Sequence, residues 1–167
     1  MKYFYYTRHG QTIWNVENKI CGVSDVSLTE KGINQARELG NKILDENIHI
    51  DEILYSPLVR AKETALYISE ITGIPAKYEG TPRNGADFRV SKRNFIDSYD
   101  GGETMLHLAQ RIYNLIDDIK NEPGDKVYLL VAHNGISRVI NSYFHDMSNE
   151  EYADFGIRNC EIRKYEF

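Results

Sequence analysis

A chain of 167 residues, 41% hydrophobic and 27% charged, has ordinary globular composition and the size of one domain with one core, here residues 1–167. Its net charge of −5 with no basic stripe excludes a nucleic-acid partner as an expectation, and no run reaches the ~18 apolar residues of a membrane span. Two cysteines, Cys21 and Cys160, are too few for a disulfide framework and are not a CxxC metal pair, so reduced thiols and a cytoplasmic location are expected, with no export signal in the opening MKYFYYTRHG.

Tyr3 to Thr7 is an aromatic and β-branched run that stops at Arg8-His9-Gly10, a strand delivering polar residues at its carboxyl end. From Leu28 the period changes. Thr29 is an N-cap, and Ile33, Ala36, Leu39, Gly40, Ile43 and Leu44 share one helical face up to about Asn47. Asp51 to Tyr55 reads as a second strand punctuated by Ser56-Pro57. Helical spacing follows through Val59, Ala61, Ala65, Leu66 and Ile68 until Gly73 ends it. Glu79 to Gly102 mixes glycine, proline, charge and aromatics without a period, and irregular stretches of that length in small domains often serve as binding loops. Gly102 to Lys120 is a helix and Glu122 to Lys126 a turn. Val127 to Ala132 is an apolar run suited to a strand buried on both faces, and it too ends in a polar cluster, His133-Asn134-Gly135. Ile136 to Phe144 forms the next helix, and Gly156 to Phe167 closes the chain as an edge strand, whose exposed side permits a homodimer. Strands alternating with helices give a mostly parallel sheet covered on both faces.

In open α/β sheets ligand sites gather outside the carboxyl ends of the strands, so His9 and His133 are expected at one edge. Arg8 adjoins one of them, and Arg60 lies near the start of the helix after the second strand, where backbone N–H groups also favour anions. Two guanidinium forks and two imidazoles around one point suit a phosphoryl group. A neutral imidazole nitrogen can attack phosphorus and leave a phosphohistidine. The ligand is therefore expected to be a small phosphorylated metabolite.

Arg8-His9-Gly10-Gln11-Thr12 with Asn15, then Leu28-Thr29 with Gly32, Gln35 and Ala36, resembles the histidine phosphatase superfamily that includes phosphoglycerate mutases. Ser56-Pro57-Leu58-Val59-Arg60-Ala61 with Thr64-Ala65, Gly101-Gly102-Glu103-Thr104 and Val131-Ala132-His133-Asn134-Gly135 are similar to its later motifs, in the same order. The resemblance implies a three-layer α/β/α sandwich with a mostly parallel, phosphoglycerate mutase-like sheet, and no metal or other cofactor. It makes His9 the nucleophile, Arg8 and Arg60 the phosphate clamps and His133 the partner that stabilises the transferring group. Gly10, Asn15 and Asn134 become substrate-binding candidates. Asn134 departs from the glycine often found after the second histidine, though asparagine tolerates unusual backbone angles and can donate to phosphate. Cys21, in the stretch leading to the first long helix, is a further candidate for the pocket lining.

The second departure concerns the general acid. Asn84 occupies the position where the resemblance implies a glutamate, and an amide delivers no proton. Asn84 is then a substrate-binding candidate, and Asp87, ahead of Glu79 on a strand, is the expected acid. The leading function is hydrolysis of small phosphomonoesters through a phosphohistidine on His9. The alternatives are a phosphoglycerate mutase, or a phosphate-binding pseudoenzyme with weak or no turnover because Asn84 has replaced the acid.

Overall fold

The aromatic run at the start of the chain forms strand β1, Tyr3–Arg8, in a computed structural model that describes residues 1–17, 26–78 and 105–167. Strands β2 (Glu52–Tyr55), β3 (Ala76–Tyr78), β4 (Tyr128–Ala132) and β5 (Ile162–Glu166) join it in a five-stranded sheet of order β3-β2-β4-β1-β5. All pairings are parallel except that of β5, which runs antiparallel to β1 along one edge. The sheet is thus mixed and mostly parallel, as its sequence pattern requires.

Among the described residues six helices accompany these strands: α1 (Ile13–Val16), α2 (Glu30–Asp45), α3 (Val59–Thr72), α4 (Met105–Asn121), α5 (Asn134–Phe144) and α6 (Asn149–Asp154). The crossovers from β1 to β2 and from β2 to β3 step across the sheet in one direction, and the next one steps back. Because parallel crossovers are right-handed, that reversal places α2 and α3 on one face and α4 on the other, where α5 joins it. The strand β4 in the middle is buried throughout and feeds both sides. Tyr128 and Leu130 pack with Phe4, Tyr6, Ile112, Ile116 and Val139. Leu129 and Val131 pack with Leu39, Ile43, Ile53, Ala65 and Ile68.

Local chemistry explains the boundaries. The Thr29 hydroxyl accepts from Gly32 N at 3.1 Å and starts α2, and Gly73 ends α3 in the left-handed region at φ 75°. Two short helices escape the hydrophobic period, but each begins with a capping box, Thr12 with Asn15 and Ser148 with Glu151. Leu44 and Leu66, expected on buried helix faces, are instead 49% and 46% exposed. Each falls at the margin of its apolar stripe, and the stripe's centre already fills the space against the sheet. Cys21, Glu79, Asn84, Asp87 and the Gly101 to Thr104 stretch lie outside the described residues.

Candidate active site

Strands β1 and β4 are parallel neighbours with Arg8 opposite Ala132, and His9 N donates to Ala132 O at 3.0 Å, carrying the ladder one residue past the strand. The residue after each strand is a histidine. Sheet register alone therefore sets His9 beside His133, with ring centroids 5.4 Å apart and planes inclined at 56°. Strand β2 lies on the other side of β4, and the residue after it is Ser56. Its backbone N donates to Val131 O at 3.1 Å, and its hydroxyl lies 2.7 Å from His133 Nε2. Arg60 enters from the first turn of α3 and is buried.

His9 is only 4% exposed, and its Nδ1 is 2.7 Å from the carbonyl oxygen of Gly10. A carbonyl only accepts, so Nδ1 carries the proton and Nε2 keeps its lone pair. Burial pushes the His9 pKa down to about 3, the Gly10 hydrogen bond opposes this, and the Arg60 and Arg8 charges lower it further. The same influences, burial first and then Arg60, His9 and Arg8, hold His133 well below the usual imidazole range. Both rings are neutral at pH 7, and both feel the same two guanidinium groups. The four residues singled out in the sequence thus form one cluster at the carboxyl edge of the sheet.

The loop carrying His9 is held from four directions. Gly10 N donates to Thr64 Oγ1 at 3.0 Å, and that hydroxyl donates to Arg60 O at 2.7 Å, so the loop carrying His9 and the arginine helix share one threonine. Gln11 N donates to Gln35 Oε1 at 2.9 Å on α2. Thr12 N donates to Asn15 Oδ1 at 3.0 Å. Asn159, just before β5, donates from Nδ2 to His9 O at 2.8 Å and lies 3.5 Å from Asn15 Oδ1. The same segment takes Arg8, whose Nη1 donates to Ile157 O at 3.1 Å. Among the described residues no group of three or more His, Cys, Asp or Glu side chains could hold a metal ion. None of their helices is long and apolar enough to cross a membrane.

The profile of the "Histidine phosphatase superfamily (branch 1)" matches residues 4–167. The chain belongs to this superfamily. A relative in Erwinia tasmaniensis named "Probable phosphoglycerate mutase GpmB" is 27% identical over 96% of this chain and 82% of its own. Among solved structures, phosphoserine phosphatase from Entamoeba histolytica in complex with 3-phosphoglyceric acid superposes with a TM-score of 0.72 at 26% identity, covering 100% of this chain and 91% of that one. A mycobacterial glucosyl-3-phosphoglycerate phosphatase solved with VO3 has a TM-score of 0.73 at 23% identity, over 98% and 90%, a likeness of fold.

Within this histidine phosphatase superfamily chain, the structure gives two of the sequence candidates a different setting. Asn134 is not a residue of unusual backbone angle. It opens α5, and positive φ outside glycine occurs, among the described residues, only at Asn47 and Cys160. Its Oδ1 accepts from Ile157 N at 3.0 Å, so its side chain ties the start of α5 to the segment before β5. Asn15 uses its carbonyl oxygen to cap α1, which leaves its NH₂ group as the donor. Two contributors were missed. Ser56 reads in sequence as turn punctuation and as the first residue of a motif, with no role of its own, and Asn159 carries no local signal because its partner is 150 residues away.

Proposed function

We propose that this chain is a phosphatase that hydrolyses small phosphomonoesters through a phosphohistidine on His9. The observation that carries the reading is the His9 tautomer, since a buried imidazole whose Nδ1–H is committed to Gly10 leaves Nε2 as an unprotonated nucleophile at neutral pH. Nε2 attacks phosphorus and the ester oxygen departs with a proton. Water then attacks the phosphohistidine, releasing phosphate and returning the lone pair to Nε2. Arg8 and Arg60 hold the equatorial oxygens, supplying the positive charge that a metal ion supplies in other phosphoryl-transfer enzymes. His133 stabilises the same group from the neighbouring strand, and the Asn15 NH₂ adds a donor. The likeness to a phosphoserine phosphatase supports hydrolysis of a small metabolite.

The relatives named as phosphoglycerate mutases favour a second reading, in which the phosphohistidine passes its group to another hydroxyl of the same substrate. Rapid quenching with ³²P-labelled phosphomonoesters separates the two. Acid-labile label on the protein followed by free phosphate supports the phosphatase, and label recovered at a new position of the substrate supports the mutase. Saturable binding with no labelled protein would leave a phosphate-binding pseudoenzyme.

Asp87 is the proposed proton donor to the leaving oxygen, with Glu79 as its substitute and Asn84 confined to binding. A general acid contributes about 10²- to 10⁴-fold. Asp87→Asn should therefore cut kcat for alkyl phosphates about a hundredfold while sparing p-nitrophenyl phosphate, whose leaving group needs little proton assistance. An equal loss on both esters would assign Asp87 to binding. Asn159→Ala removes the donor to the His9 carbonyl, a neutral hydrogen bond of about 1 kcal/mol. Steady-state assays should show kcat reduced about five- to tenfold with little change in KM, and an unchanged kcat would mean that the segment before β5 does not hold the nucleophile.

A further inference from the structure

We infer that Ser56 is a positioning residue that decides which nitrogen of His133 bears the proton: its hydroxyl donates to Nε2, leaving Nδ1–H as a donor for a phosphoryl oxygen. The inference deepens the phosphatase reading, on which the identity of that acceptor rests, but the tautomer itself is a property of the protein without substrate.

The assignment follows from counting donors and acceptors. The Ser56 hydroxyl and His133 Nε2 are 2.7 Å apart, Ser56 is buried, and the other ring nitrogen, Nδ1, is buried with no hydrogen-bond partner among the described residues. Suppose Nε2 carried the proton and donated to Ser56. The serine hydroxyl hydrogen would then have no acceptor, and the Nδ1 lone pair would have no donor, leaving two buried groups unsatisfied. With the serine donating to Nε2, only the Nδ1–H is left over. That remaining group is a donor in a site whose ligand carries nothing but acceptors, and binding would satisfy it. A buried donor with no acceptor among the described residues fits a phosphoryl oxygen.

The backbone around this pair restricts adjustment. Tyr6 OH donates to His133 O, His133 O also accepts from Ser137 N at 3.3 Å, and Ser56 N donates to Val131 O at 3.1 Å. The serine and the histidine therefore ride on adjacent strands, β2 and β4, whose register sets their separation. His9 and His133 carry the proton on the same nitrogen, Nδ1, but the protein occupies opposite sides of the two rings. In His9 a carbonyl holds the proton on Nδ1 and exposes a lone pair at Nε2. In His133 a hydroxyl occupies the Nε2 lone pair and leaves an N–H at Nδ1. One ring is prepared to attack and the other to donate.

The test is ¹⁵N NMR of the imidazoles at pH 7 in the ligand-free protein, with the His133 signals assigned by their loss in His133→Asn. The expected result is His133 in the neutral Nδ1–H form, shifting toward Nε2–H in Ser56→Ala, with kcat reduced about tenfold, the worth of one hydrogen bond, and KM little changed. Wild-type His133 found as Nε2–H or as imidazolium overturns the assignment without bearing on covalent catalysis by His9, and so does an unaltered tautomer in Ser56→Ala. Should Ser56→Ala fail to fold, the wild-type spectrum alone still decides. Failure of the phosphatase reading would appear separately, as absent phosphoenzyme in a protein whose His133 tautomer is as described.

Discussion

His9→Ala is expected to lower kcat for phosphomonoester hydrolysis by roughly 10³-fold or more and to abolish acid-labile phosphoenzyme, because the substitution removes the intermediate itself. Residual activity above about one hundredth of wild type would overturn covalent catalysis at this position, since a loss of that size is what removing a single electrostatic donor costs. The variant has a second signature in stability. The folded imidazole has its pKa pushed down to about 3 against an ordinary value of 6.5, chiefly by burial. Between those values the unfolded chain binds a proton that the folded chain refuses. The stability of the wild type is therefore full above about pH 6.5 and falls as pH drops toward 3, by ~1.4 kcal/mol per pH unit for each such group. His9→Ala lacks this penalty, so urea denaturation should show the variant gaining on the wild type as pH falls from 7 to 4. A constant difference between the two curves would mean that His9 titrates normally in the folded protein.

Gly32→Ala should damage the same chemistry from a distance. A Cβ at Gly32 would lie 2.1 Å from the carbonyl oxygen of Gln11 and 2.8 Å from its nitrogen, and one at Gly10 would lie 2.5 Å from the oxygen of Gly32. The two backbones pass each other in direct contact, with no flexible side chain between them to give way. Gln11 also receives Thr29 N at 2.9 Å and donates to Gln35 at 2.9 Å, so it is pinned to α2 on both sides. The added methyl must push the loop that carries His9, and a displacement of about 1 Å in a reacting group can cost ~10²-fold in rate. Overpacking of this kind typically costs about 1–3 kcal/mol in stability. We expect kcat reduced about a hundredfold and a lower melting temperature. A variant with kcat within about twofold of wild type would show that the α2 contact does not position His9.

What the sequence made legible and what it hid divide along a physical line. Strand β1, the Thr29 cap, the Gly73 terminus and the apolar run of β4 are announced by neighbours in sequence, because hydrophobic period and capping are local. The convergence of His9 and His133 was legible for a related reason: each directly follows a strand, and parallel strands end on the same edge. Arg60 followed from its place in the first turn of α3. Hidden were the contacts in which a side chain of one segment satisfies a distant partner. Ser56 on His133, Asn159 on the His9 carbonyl and Asn134 on Ile157 have no period and no spacing rule. The short helices α1 and α6 lacked a hydrophobic face, although their capping boxes stand in the sequence.

The pairing of β1 with β4 also governs when the enzyme comes into being. Tyr6 and the carbonyl of His133 that it reaches are 127 residues apart, and His9 and Asn159 are 150 apart. Closing such loops costs chain entropy before any contact rewards it, so pairings of this range belong to the slow part of folding. A collapsed chain with its helices formed would still have its two imidazoles on unconnected segments. During refolding, catalytic activity should therefore return with the closure of the sheet and lag behind the recovery of helical signal.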